Sequence, residues 1–399
     1  MSAAPAPTFS GRAWTEVFPV FLYLGLTSFG GPVAHLGYFR REFVDKRRWV
    51  DEASYAGIVG LCQFLPGPAS SQVGISLGLM RAGYTGALAA WLGFTAPFAV
   101  LMIAVWYGAG AFRGIAGSAW LHGLQIVAVG VVAQAVIGMA QVLCPDIPRA
   151  ALAVGAAALM LVVPSAVAQI VVIGLGGVIG WAVLKPGKRL GDTLSLRVGR
   201  STAVTCLVLF FALLALLPAV ARVSANQVGA LIDSFYRAGS LVFGGGHVVL
   251  PLLQASVVPP GWVSNDDFLA GYGAAQAVPG PLFTFSAYLG TVSAVPPNGW
   301  LGGLICLIAI FLPSFLLVIG ALPLWNELRQ VAWAQSALSG INAAVVGLLL
   351  AALYDPVWTS AIFTFADFAI ALAAFIALIV RTPPILVVVA TAALATLIA

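Results

Sequence analysis

The residues of this chain best suited to hold a ligand are glycines and prolines in four short runs. Residues 29–31 read F-G-G and 63–68 read Q-F-L-P-G-P; further on, 243–246 read F-G-G-G and 276–281 read Q-A-V-P-G-P. Pro66, Pro68, Pro279 and Pro281 remove backbone donors, while Gly67 and Gly280 allow positive φ or close approach, so a helix entering these runs must end there. In the other pair, Gly30, Gly31 and Pro32, and Gly244, Gly245 and Gly246, expose consecutive backbone N–H groups. A half-helix starting after them turns its positive end to the break. Such a nest takes a tetrahedral dianion without many cationic side chains. Gln63, Gln276, Ser70, Ser71, Thr284 and Ser286 stand by to add neutral hydrogen bonds. Packing glycines and kink prolines, common in membrane helices, are the competing reading.

Among charged side chains, Arg237 stands out, at the start of the apolar run before F-G-G-G. Charges inside membrane segments are rare and usually functional. Its counterpart in the first half is Tyr23, so a site built on it is asymmetric; an i,i+4 pair with Asp233, or snorkelling, is the alternative. His247 follows the glycines and is placed to donate to an oxyanion. His35 is not its counterpart, since Val33 is, and His122 reads as interfacial. Glu16, Asp233 and Asp367 are the carboxylates nearest membrane depth, and none belongs to a duplicated motif, so proton coupling is not specified by the residues.

Other chemistries lack their parts. Cys62, Cys144, Cys206 and Cys306 are isolated, without C-x-x-C spacing, which leaves no support for a metal or redox site. No G-x-x-x-x-G-K-[ST] is present. The run G-L-G-G-V-I-G (174–180) lies inside an apolar span, where helix packing explains it better than dinucleotide binding. No nucleophile–base pair marks an enzyme, and no cofactor is expected.

The elements that must position these runs form a repeat. The spacings are 243 − 29 = 214 and 276 − 63 = 213; Trp49-Val50 matches Trp262-Val263 at 262 − 49 = 213, Pro97 matches Pro313 at 313 − 97 = 216, and Gly123 and Gly130 match Gly340 and Gly347 at 340 − 123 = 217. The repeat covers about residues 18–145 and 232–360. Helix breakers recurring in register are what two-repeat transporters use to place interrupted helices around a central site. The chain is 61% hydrophobic and 8% charged, against roughly a quarter charged in soluble domains. Continuous apolar stretches such as Tyr84–Tyr107, Leu121–Leu143, Ala166–Leu184, Ser201–Val220, Leu301–Leu322 and Ala343–Tyr354 with its flanks indicate membrane helices, and their lack of alternation excludes a β-barrel.

Charge sets the orientation. The net +5 sits in short loops, so it reports topology rather than nucleic-acid binding. Arg40, Arg41, Lys46, Arg47 and Arg48 place the first inter-motif loop in the cytoplasm, while its counterpart 254–267 has no Lys or Arg and should face outward. Equivalent loops on opposite faces mark inverted repeats. The expected fold is an all-α polytopic membrane protein with two inverted-topology repeats and broken or re-entrant helices at the Gly/Pro motifs. One self-consistent arrangement makes each motif segment a helix pair that returns to its starting side, followed by four spans per half; ten to thirteen conventional spans is the rival count. The expected divisions are a cytoplasmic tail over 1–17 with no visible signal peptide, a first repeat over 18–184, a basic connector and linking helix over 185–222, and a second repeat over 223–399.

The runs L-T-S-F-G-G-P-V-A-H-L (26–36), R-R-W-V-D (47–51) and Q-F-L-P-G-P-A-S-S-Q (63–72), with F-G-G-G-H-V-V-L-P (243–251) and Q-A-V-P-G-P-L-F-T-F-S-A-Y-L-G (276–290), closely resemble the chromate ion transporter family in its long-chain, two-domain form. The resemblance spans nearly the whole chain. It implies a secondary carrier in the bacterial cytoplasmic membrane that exports chromate and confers resistance, with sulfate as the natural analogue. The partners it implies are the oxyanion, the lipid bilayer, a proton as coupling ion and a second copy of the chain, with no nucleic acid. A sulfate carrier, an anion channel and a membrane scaffold are the alternatives the residues leave open.

Overall fold

The computed structural model describes residues 14–28, 31–112, 119–185, 198–224, 226–243, 248–278, 280–324, 331–380 and 382–398. All regular elements among these are helical. The first half contains α1 (Trp14–Thr27), α2 (Gly31–Arg40), α3 (Glu52–Phe64), α4 (Ala69–Phe112), α5 (Ala119–Leu143), α6 (Ile147–Val162) and α7 (Ala166–Val183). Helix α8 (Arg200–Ser224) joins it to α9 (Gln227–Leu241), α10 (Val249–Val257), α11 (Asn265–Ala277), α12 (Phe285–Val292), α13 (Gly299–Ala321), α14 (Ala332–Ala352), α15 (Phe365–Ile379) and α16 (Pro384–Ile398). Starts are written in the sequence: Asp51, Asp146, Ser165, Asn226, Ser264 and Thr364 each accept a first-turn N–H and satisfy a donor the helix leaves free.

The motif segments are re-entrant hairpins. Arg81 in α4 bonds Glu16 at the start of α1 at 2.8 Å and lies over the Trp49 ring at 5.3 Å. Arg40 at the end of α2 bonds Glu52 at the start of α3 at 2.8 Å. Hence α1–α2 and α3–α4 each enter from one end, break at their Gly/Pro run and return to that end. Helix α4 then reverses at Ala82 and Gly83 (φ +64°), which brings Gly78 against Gly86: a Cβ on Gly78 would stand 2.3 Å from the Gly86 carbonyl oxygen. Its second arm, 84–112, is about 43 Å long at about 1.5 Å per residue and reaches the far end.

The second repeat does the same from the opposite end. Trp262 accepts from the Ala294 amide at 2.8 Å, as Trp49 sits by Arg81, and Gly290 meets Gly302 as Gly78 meets Gly86. That end is the far one, because Gln125 near the start of α5 donates to Asp266 at 3.2 Å. The inter-motif loops of the two repeats therefore lie at opposite ends of the molecule, and the repeats are inverted.

After the hairpins each half has four long elements: the second arm of α4, α5, α6 and α7 in one, α13 to α16 in the other. Helices α4, α5, α8, α13 and α14 are long and apolar enough to cross a membrane, and α6, α7, α15 and α16 are shorter apolar helices beside them. Exposed Trp181, Phe211 and Leu216 form apolar outer surface suited to lipid.

The halves clasp each other. Helix α7 packs on α14 and α16 on α5; α6 packs on α14 and α15 on α5. Small residues permit the close approach: Gly340 meets Gly176 and Gly180, while Gly123 meets Ala392; Gly347 meets Ala153, while Gly130 meets Ala371 and Phe375. The matched glycines are thus inter-repeat packing positions, and the 174–180 run serves helix packing as its sequence suggests.

Candidate functional site at the crossing of the repeats

Both P-G-P runs end their helices as their residue types demand. Helix α3 stops at Phe64 with Leu65 extended, and α11 stops at Ala277 with Val278 extended. Gly67 and Gly280 have φ of +121° and +107°, a region that disfavours side chains. Each then reaches across the repeat boundary. The Gly67 amide donates to the Val242 carbonyl at 2.6 Å, and the Gly280 amide donates to the Ser28 carbonyl at 3.3 Å. Val242 and Ser28 are themselves equivalent, at 242 − 28 = 214, and each stands just before a glycine run.

A second reciprocal contact surrounds the first. A Cβ on Gly67 would meet Gln72 Nε2 at 2.5 Å and Ser314 Oγ at 3.0 Å; one on Gly280 would meet the Phe98 ring at 2.2 Å. Ser314 and Phe98 follow Pro313 and Pro97, so each P-G-P run abuts the proline-bearing helix of the other half.

Of the residues singled out by sequence, the crossing brings together Pro66, Gly67, Pro68, Gly280 and Pro281. Gly31 and Pro32 begin α2. Gly30, Gly244, Gly245, Gly246, His247 and Pro279 lie outside the described residues. Gln63 is exposed and Gln276 partly buried, with Gln276 Nε2 unpartnered. The nearby hydroxyls differ in availability. Thr284 and Ser286 donate to the Pro281 and Phe283 carbonyls at 2.9 and 2.7 Å, whereas Ser71 Oγ has no partner. Arg237 Nη2 pairs with Asp233 Oδ2, and its Nε is buried without a partner. Both lie on α9, within three turns of the break at Val242.

His35 is unduplicated, so repeat register does not mark it, yet it is 1% exposed. Its Nε2 stands 3.2 Å from the Ser28 carbonyl and its Nδ1 3.4 Å from Ser70 Oγ, so it ties the first hairpin to the second. Phe94 holds its ring edge-on at 5.2 Å. Gln72 and Ser314 were not singled out either; only their repeat counterparts, both phenylalanine, hint that these positions face the crossing. His122 joins the repeats at the far end, 3.0 Å from Asp367 Oδ1 and stacked on Phe363.

The cations of the first inter-motif loop are largely engaged locally: Arg40 with Asp45 and Glu52, Lys46 and Arg47 with Glu42. Burial raises the Glu42 carboxyl, but the hydrogen bonds from Arg47 and Lys46 outweigh it and hold the group below the ordinary carboxylate value.

The family model described as chromate transporter matches residues 15–181 and again 229–397. The chain is 28% identical over 368 residues to a chromate transport protein of Pseudomonas aeruginosa, covering 88% of this chain and 82% of that one. It is 28% identical over 366 residues to a chromate transport protein of Cupriavidus metallidurans, covering 88% and 84%. It is 25% identical over 342 residues to an uncharacterized transporter of Methanocaldococcus jannaschii, covering 84% and 82%. No solved structure matches the chain.

Proposed function

Because the chain belongs to the chromate transporter family, we propose that it is a secondary carrier that moves chromate out of the cytoplasm across a bacterial inner membrane, and so confers resistance. The observation that carries this reading is the family match over both repeats, joined to a crossing where helix breaks from inverted halves meet and leave buried polar groups unpartnered. Irregular backbone at depth is tolerated where it is buried in protein or lines a polar cavity. The bilayer and the oxyanion are its partners. The sequence carries no nucleotide-binding motif, so an ion gradient is the proposed energy source, with a proton as the coupling ion.

Alternating access follows from the inverted construction. Rocking one set of hairpins against the other exchanges the two amide–carbonyl contacts at the crossing and opens it to one end at a time. Arg237 supplies positive charge beside it, offset by Asp233. The test is chromate flux into proteoliposomes under an imposed gradient, with sulfate as competitor. Saturable, gradient-dependent uptake with counterflow supports the carrier; non-saturating flux identifies a channel, sulfate flux alone overturns the substrate, and no flux overturns transport.

A further inference from the structure

His122 on α5 of the first half and Asp367 on α15 of the second meet at the end opposite the basic loop, with Nε2 3.0 Å from Oδ1. The ring's other nitrogen, Nδ1, stands 3.4 Å from Gln125 Oε1. The far side of that amide fixes its orientation: Gln125 Nε2 donates to the Asp266 carboxylate at 3.2 Å and to the Asp266 backbone carbonyl at 3.4 Å, two acceptors that an amide oxygen would not face. Both ring nitrogens therefore face acceptors. A neutral imidazole has one N–H to give and an imidazolium has two, so only the charged ring satisfies the arrangement in full. Asp367 is held in place as its counter-ion, since Oδ2 accepts the Phe363 and Thr364 amides at 3.1 and 2.9 Å. Phe363 stacks on the imidazole with centroids 5.7 Å apart and planes inclined by 16°, a position that attracts a cation. The His122 side chain is 28% exposed, so water delivers the proton directly.

The surroundings add no competing cation. Helix α5 packs against α11, α14, α15, α16 and the turn 353–358. Their ionisable groups are Asp266, Asp267 and Tyr272 on α11, Tyr354 and Asp355 in the turn, and Asp367 on α15; α14 and α16 carry none, and α5 itself has only His122. The phenols are neutral near neutrality, so apart from His122 every charge on these elements is negative. The opposite end lacks the device. The counterpart of His122 is Ser339 (339 − 122 = 217), and that of Asp367 is Arg149 (367 − 149 = 218, the offset at which Ala371 matches Ala153). Arg149 bonds Asp146 at the start of its own helix instead.

We propose that His122 and Asp367 form a proton-operated latch between the repeats, closed by a proton from outside. In the carrier reading above, on which this rests, the end opposite the basic loop faces outward. The proton adds to the ring nitrogen that lacks one, and the new N–H completes the set of bonds across α5 and α15, two of the helices that clasp the halves. The form with partners is the charged one, so the latch is fully closed below about pH 6.5, the ordinary histidine value, and is lost as the ring gives up its proton at higher pH. Acid outside thus favours closure of the outer end, the step that returns an emptied exporter to its cytoplasmic-facing state.

The experiment labels a single cysteine, Ala371→Cys, in the full chain without its four native cysteines, using a maleimide in detergent from about pH 6 to about pH 8, a range that brackets an ordinary histidine. Ala371 is buried on α15 one turn from Asp367 and packs on Gly130 of α5, so the reagent reaches it only when the two helices part. The same cysteine in His122→Gln cancels the thiol's own ionisation. At about pH 6 the parent chain is expected to label about tenfold more slowly than His122→Gln, the size of one hydrogen bond to a charged group, and at about pH 8 the two rates should converge. Gln125→Leu removes the acceptor at Nδ1 and leaves Asp367 in place; it should label faster than the parent at acid pH and match it at about pH 8. A parent-to-His122→Gln ratio that is the same at every pH, or parent rates throughout in Gln125→Leu, overturns the latch. If His122→Gln does not fold, Gln125→Leu against the parent decides alone. Labelling needs no flux, so failed chromate uptake in the proteoliposome test overturns the carrier, while the labelling ratios judge the latch separately.

Discussion

The Gly67 amide donates to the carbonyl of Val242 at 2.6 Å, tying the helix break of the first repeat to the residue that precedes the glycine run of the second. Gly280 repeats the contact to Ser28 at 3.3 Å. In this conformation neither P-G-P amide is free, and any ligand that uses one must displace the other repeat's carbonyl. Binding and inter-repeat movement then draw on the same two hydrogen bonds.

Gly67→Ala and Gly280→Ala are expected to abolish flux. Both positions have positive φ and a Cβ would collide with Gln72 or Phe98; backbone strain alone costs about 1–3 kcal/mol. Thermal unfolding in detergent should show that loss. Wild-type flux in both variants would show that the crossing does not need these contacts.

Neutralising one member of the Arg237–Asp233 pair strands the other charge. For a half-buried pair the loss is on the order of 2 kcal/mol, between exposed and fully buried cases. Asp233→Asn should therefore lower stability, and Asp233→Asn with Arg237→Gln should recover it. Flux separates the roles: if Arg237 serves the anion, the double variant folds but does not transport, and normal transport would reduce the pair to structure.

Asp45→Cys and Pro260→Cys, each in a background without the four native cysteines, probe the inter-motif loops. Membrane-impermeant thiol reagents should reach them from opposite sides. Labelling of both from one side would contradict the inverted arrangement.

Glu42 anchors the basic loop. Because its folded carboxyl titrates below the ordinary value, its stabilisation is fully present above about pH 4.3, the ordinary glutamate value, and disappears as pH falls through the lower folded value. Between neutrality and mild acid the loop should resist trypsin at Arg47 and Arg48 equally well. Glu42→Gln should be cut faster at neutral pH; equal cutting would mean the loop is held by Arg40 and its acids instead.

The architecture was legible because its causes are local. Proline and glycine dictate where α3 and α11 stop, the offsets near 213 to 217 reveal the duplication, and the lysine and arginine asymmetry gives its inversion. The sequence alone allows two span counts, and the contacts of Arg81 with Glu16 and Trp49 at one end decide for the hairpins. The site was less legible. His35, Gln72 and Ser314 are unduplicated, so reading by repeat register passes over the positions where the halves differ. The partner carbonyls of Ser28 and Val242 are backbone atoms that carry no residue signature. Arg237 was open between ion pair and ligand contact, and the geometry supplies the ion pair while leaving its Nε unpartnered.

The reciprocal clasp of α7 on α14 and α16 on α5 bears on how the protein is made. When the first half leaves the ribosome, α7 and the Gly123 and Gly130 faces of α5 have no partner, and they stay unfilled until more than a hundred further residues are inserted in the opposite sense. Assembly must finish with the last helix. Separately translated halves should recombine in the membrane, provided they insert with opposite orientations, whereas two copies of either half inserted the same way present clasping surfaces that never meet.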